Sequence, residues 1–184
     1  MNDLFSGLIT SKTRIRLLLR FFLNAETSAY LRELSKEFNV SSNAVREELN
    51  QLTKTNLLSS QKSGRQIFYK ANPAHPLFPE LRSMVRKVMG IDQVIDGILI
   101  RLGDLKSAYL IDDYAEGKDT GIIDLLLVGN VNYNHLNDLT GKVEKYISRK
   151  IRTLVLSQAE FLDFTSTLKS RPHLLIWKQD GTAQ

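Results

Sequence analysis

Cysteine is absent from the 184-residue chain. That excludes disulfides, thiol catalysis and thiolate metal sites, and it fits a reducing cytoplasm. Long apolar runs are absent too: none approaches the roughly 20 residues that span a bilayer, so no membrane partner is expected. Histidine is sparse. His75, His135 and His173 lie in separate segments without metal-ligand spacing, and no metal or other cofactor is expected. The start, Met1-Asn2-Asp3-Leu4-Phe5, has no basic stretch followed by an apolar one, so a signal peptide is not expected and a cytoplasmic location is. Internal repeats and low-complexity tracts are missing as well.

What is present is enough for one large or two small globular domains. Apolar residues make up 42% of the chain. The net charge of +5 is unevenly spread. Residues 1–89 hold 14 Lys and Arg against 7 Asp and Glu, and residues 90–184 hold 11 against 13. A basic half followed by a slightly acidic one suggests that the first half meets a polyanion.

Residues 11–23 place Ile15, Leu18, Leu19, Phe22 and Leu23 on a helical stripe, with Ser11 or Thr13 as the cap. A second helix is expected from Ala29 or Tyr30 to Phe38. Asn39-Val40 makes a tight turn, and a third helix runs from Ser41 or Ser42 to about Thr55. Two short strands around Ser63-Gly64-Arg65 form a hairpin. After the loop Asn72-Pro73-Ala74-His75-Pro76, helices are predicted over 77–89 and 91–102, with Gly90 between them. Beyond residue 107, strands at 108–111, 122–128, 151–156 and 173–177 alternate with helices at 135–149 and 158–168, which argues an α/β layer.

Helix, helix, turn, helix and hairpin is the order of a winged helix-turn-helix. In that geometry the third helix enters the major groove. With Ala44, Val45, Leu49 and Leu52 inward, its outer face carries Ser42, Asn43, Arg46, Glu47, Asn50 and Lys54. Arg46 can fork onto a guanine edge, and Asn43 or Asn50 can pair an adenine. Ser41 and Ser42 at the helix start suit a phosphate. Lys62 and Arg65 flank the hairpin tip, where backbone or minor-groove contacts are expected, and Lys12 and Arg14 could clamp a flanking phosphate. Glu47 and Glu48 repel phosphate and are expected to have no part in binding.

Tyr30-Leu31-Arg32-Glu33-Leu34, Val40-Ser41-Ser42-Asn43-Ala44-Val45-Arg46, residues 49–58 and Arg65-Gln66-Ile67-Phe68-Tyr69 resemble ArsR-type winged-helix transcriptional regulators. The resemblance covers about residues 4–89. It implies a dimeric regulator of double-stranded DNA. Metal sensing, the best-known activity of that family, is not carried over, because cysteine and clustered histidine are missing.

The tail Asn72-Pro73-Ala74-His75-Pro76-Leu77-Phe78-Pro79-Glu80-Leu81 is similar to a subgroup often followed by a nucleotidyltransferase-like domain, and residues 107–178 look like one. In that superfamily a Gly-Ser pair opens a helix after the first strand, and an Asp-x-Asp on the next strand holds magnesium against a triphosphate. Here Asp112 and Asp113 stand where Gly-Ser would be. Glu116 replaces an arginine, Ile122 replaces the first carboxylate, and only Asp124 matches the second. One metal ligand remains where two are needed, and two carboxylates stand where an anion would approach. A retained fold without catalysis is expected. For Asp124 the plain alternative is a capping or salt-bridging carboxylate; for Asp112 and Asp113 it is a helix N-cap. A compensating magnesium site built from all three is the sharper alternative.

The expectation is therefore a mixed α+β and α/β chain of two domains. Residues 1–89 form the winged helix-turn-helix, 90–106 a linking helix, and 107–184 the inactive nucleotidyltransferase-like domain. The helices at 77–89 and 91–102 are the candidate dimer or coupling surfaces. Two rivals stay open: an active, antitoxin-like nucleotidyltransferase that modifies a partner protein, and a protein-interaction module.

Overall fold

The computed structural model describes residues 7–179, so Met1 to Phe5 lie outside the described residues. The fold mixes helices with two separate sheets. The chain divides into two compact units between Val88 and Met89.

In the first unit, α1 (Lys12–Phe22) is capped by Ser11, whose hydroxyl accepts the Arg14 N–H at 3.2 Å. Every residue from Leu17 to Leu23 is buried, along with Ile15, which is more than the expected stripe. A helix buried almost all round belongs to a core. The second helix starts later than expected. Ala29 and Tyr30 lie in β1 (Ser28–Tyr30), opposite Tyr69 and Phe68, with the Tyr30 and Phe68 rings 5.6 Å apart. Cross-strand pairing outweighs local helical preference at these two residues.

Helix α2 (Leu31–Phe38) ends at Asn39, which adopts φ +52°. The Val40 N–H reaches back to the Ser35 carbonyl at 3.1 Å, closing the helix as a left-handed cap does. Ser41 then caps α3 (Ser42–Lys54) by accepting the Ala44 N–H. Next come β2 (Leu58–Ser63) and β3 (Gln66–Ala71), which pair antiparallel around Gly64 at φ +58°. The three strands order β1-β3-β2. Helix α4 (Phe78–Met89) closes the unit, with Phe78 5.7 Å from Phe22.

Arginines of α1 hold this unit together. Arg20 is 1% exposed, and its guanidinium lies 3.3 Å from both Glu33 and Glu37 of α2. Arg16 donates to the Phe38 carbonyl at 2.5 Å and lies over the Phe38 ring.

In the second unit the expected helix over 91–102 is broken. It is α5 (Ile91–Gly97) followed by a 3-10 turn, Leu99–Arg101. Gly97 weakens the helix, and α7 (Tyr133–Ile147) packs against it so closely that a Cβ on Gly97 would sit 2.5 Å from Val143. The segment 90–106 is thus not a single linking helix, and its last two residues already belong to β4 (Leu105–Ile111). Its apolar side chains Ile91, Val94, Ile98 and Leu99 are buried, as are Phe78, Val85, Val88 and Met89 of α4. Leu77 and Ile100 of the same two segments stay exposed.

The remaining elements are α6 (Asp112–Ala115), β5 (Ile122–Gly129), β6 (Lys150–Leu156), α8 (Gln158–Lys169) and β7 (His173–Lys178). The sheet orders β6-β5-β4-β7. β5 and β6 are parallel and joined through α7; the other pairs are antiparallel. β5 is buried on both faces, as a central strand should be. Helix α8 begins with a capping box between Ser157 and Glu160 and lays Phe161, Phe164 and Leu168 over Tyr109, Ile111 and Leu126.

One buried ion pair ties the loop after α6 to the end of α7. Arg149 donates to both Asp119 oxygens at 3.1 and 2.6 Å and to the Ile147 carbonyl. Burial alone would raise the Asp119 pKa, but the hydrogen bond and charge of Arg149 outweigh it and hold the carboxyl below its ordinary 3.8.

Two predictions follow from these pairs. Arg20→Ala leaves two carboxylates of α2 without their buried partner and should cost about 3–5 kcal/mol in chemical denaturation. Asp119→Asn should be destabilising at pH 7. A depressed carboxyl pKa adds stability above the unfolded value and loses it as pH falls through the folded one. The gap between wild type and variant should therefore close well below pH 3.8.

Candidate nucleic-acid interface

Helix α3 sorts its residues by face. Val45, Leu49 and Leu52 are buried, while Asn43, Arg46, Asn50 and Lys54 are exposed and Ser42 is half-buried. Spacing of four places Ser42, Arg46, Asn50 and Lys54 along one outer stripe. Ser41 does not stand free for a ligand: its hydroxyl is the helix cap. Ser42 lies 3.4 Å from the Ser35 hydroxyl. Asn43 accepts a hydrogen bond from Arg46 Nη1 at 2.7 Å, so two of the expected base readers hold each other.

Lys12 lies exposed at the start of α1, and Lys62 and Arg65 are exposed on the hairpin. Arg14 departs from the expectation of a phosphate clamp. Its Nε donates to Glu48 at 2.7 Å and its Nη2 to Gln51, both on α3. Glu48 also accepts from the Ser11 hydroxyl at 2.5 Å. Arg14 thus braces α1 against α3, engaged by a carboxylate that a phosphate would have to displace.

The acidic side chains of α2 and α3 are largely drawn toward α1. Glu33 and Glu37 turn to Arg20, and Glu48 turns to Arg14, which leaves Glu47 exposed on the outer side. A groove of about 720 Å³ runs between α3, the start of α2 and β3, with Arg32, Arg46, Asn50 and Arg65 among its lining residues. Arg32 and Gln66 were missed in the sequence. Arg32 is one helical turn before the exposed Lys36, a spacing that could have flagged it.

In the second unit, the three aspartates are not gathered around one point. Asp112 takes φ +57°, and the cap position is Ile111, so Asp112 and Asp113 are not the expected N-cap. Asp112 instead accepts from Arg171 Nε at 2.8 Å and from its Nη2. Asp113 is 60% exposed, with Lys118 at 3.7 Å. Asp124 accepts from its cross-strand neighbour Arg152 at 2.6 and 2.8 Å. The Asp124 carboxylate raises the Arg152 pKa and the Asp112 carboxylate raises that of Arg171; each arginine also feels the other aspartate. Among the described residues no three His, Asp or Glu side chains group to hold a metal, which corrects the magnesium alternative. No described helix is long and apolar enough to cross a membrane.

Neither a protein family nor a curated protein matches this sequence. Solved structures are similar in part. Reduced HlyU from Vibrio cholerae is 18% identical over 47% of this chain and 83% of its own, with a TM-score of 0.37. The adhesin competence repressor AdcR of Streptococcus pyogenes is 18% identical over 50% of this chain and 72% of its own, at 0.36. A candidate nucleotidyltransferase from Sulfolobus solfataricus is 20% identical over 56% of this chain and 91% of its own, at 0.37.

The brace formed by Arg14 is testable. Arg14→Ala should lower stability by roughly 1–2 kcal/mol, at the low end for charged hydrogen bonds because the side chain is 35% exposed. Denaturant titration reads that loss. A variant as stable as wild type would remove the brace.

Proposed function

We propose that this protein is a sequence-specific, DNA-binding transcriptional regulator that acts as a homodimer. Its first unit works as a winged helix-turn-helix, with α3 in the major groove and the β2–β3 hairpin as the wing. The observation that carries this is the sorting of charge on α2 and α3. Their three paired carboxylates face α1, and the outer stripe presents Arg46, Asn50 and Lys54. Such a surface suits phosphates and base edges together. A homodimer follows from the small reach of one reading helix, since two half-sites raise affinity and specificity.

The second unit is proposed to be nucleotidyltransferase-like and catalytically silent. Asp124, the one carboxylate that matches the motif's metal-holding pair, accepts from Nε and Nη2 of Arg152. Asp112 is likewise engaged by Arg171. A cation would have to displace an arginine at each. The unit then serves sensing, partner binding or dimerisation.

A mobility shift on the DNA upstream of the regulator's own coding region tests the function. Arg46→Ala should relax base preference at one position and cost about 1–3 kcal/mol. Lys62→Ala should weaken all sequences alike. If Arg46→Ala leaves both affinity and preference untouched, α3 is not the reading helix. Transfer of labelled nucleotide to any protein, abolished by Asp124→Ala, would overturn the silent second unit.

A further inference from the structure

The groove between α3 and the hairpin has a lining whose charge is of one sign. Arg32 comes from the first turn of α2, Arg46 from α3 and Arg65 from the hairpin tip; among the described residues no Asp or Glu lines it. Glu33, the residue after Arg32, is turned away to Arg20. Three guanidinium groups around one channel repel each other until an anion enters. The volume of about 720 Å³ is far more than one ion needs, since a water takes roughly 30 Å³. The lining is also part apolar: Ile67, 47% exposed, with Tyr30 and Leu31. Guanidinium forks match phosphate oxygens, and apolar surface matches the faces of a sugar.

We propose that this groove seats one sugar–phosphate strand of duplex DNA, with Arg32 as a phosphate contact on the α2 side, across from Arg65. This rests on the DNA-binding function above and deepens it. Arg46 and Asn50 form the α3 wall of the groove, so the strand it holds is the one bordering the base edges within their reach. Arg32 fixes the position of the duplex and reads no base.

The test is a salt titration of affinity for a labelled duplex enriched from random DNA by the wild type, beside a scrambled duplex. Removing one phosphate contact reduces the slope of log affinity against log salt by about 0.9. For Arg32→Ala, both duplexes should weaken alike, and the gap to wild type should narrow about 3.5-fold for a fourfold rise in salt. Arg32→Lys should keep the wild-type slope. Thermal melting of both variants should match wild type, because Arg32 is exposed. An unchanged slope in Arg32→Ala, or a changed base preference, overturns the groove assignment while leaving the DNA-binding function standing. A wild type without salt-dependent duplex affinity, displaced as well by polyglutamate as by DNA, overturns both.

Discussion

The first unit depends on the arginines of α1. Arg20 sits nearly sealed from solvent between Glu33 and Glu37, Arg16 reaches the last carbonyl of α2, and Arg14 holds Glu48 and Gln51 on α3. Burying a guanidinium is unfavourable unless it is well paired, so these contacts leave α2 and α3 few alternative positions against α1. They also draw three carboxylates away from the outer surface. Structure and surface charge therefore have one cause: the ion pairs that position the helices leave their outer faces basic.

The second unit also pairs its charges internally, with a different outcome. Arg149 and Asp119 lock a loop onto the end of α7, where burial strengthens the consequence of losing either partner. At the end of the sheet, Asp112 with Arg171 and Asp124 with Arg152 form two neighbouring pairs. Each aspartate already has a cationic partner held in two-point geometry. A divalent ion would meet occupied carboxylates, and a phosphate would meet arginines whose donors are shared.

Much of this was legible in the sequence because it is local. Helix caps at Ser11 and Ser41, the alternation of apolar residues and the glycine of the hairpin are short-range signals, and the main elements lie close to where they place them. The three-residue strand β1 was not legible, since it exists only through its pairing with β3. Nor was the break after Gly97, which reflects how closely α7 approaches. The candidate site was readable on α3, where periodicity separates Val45 and Leu49 from Arg46 and Asn50. Arg32 was missed although its spacing to the exposed Lys36 is a local signal. The partner of Arg14 was not legible, because Glu48 lies 34 positions away. The same limit hid the partners of Asp112 and Asp124, which lie 59 and 28 positions along the chain.

The most direct measurement of whether α3 reads DNA is selection of bound duplexes from a random-sequence pool by the full-length protein. A recurring motif, repeated in two half-sites about one helical turn or a multiple of it apart, is the expected result. A pool that stays random through successive rounds, at moderate salt where the protein still retains duplex but phosphate contacts alone are weakened, would contradict it.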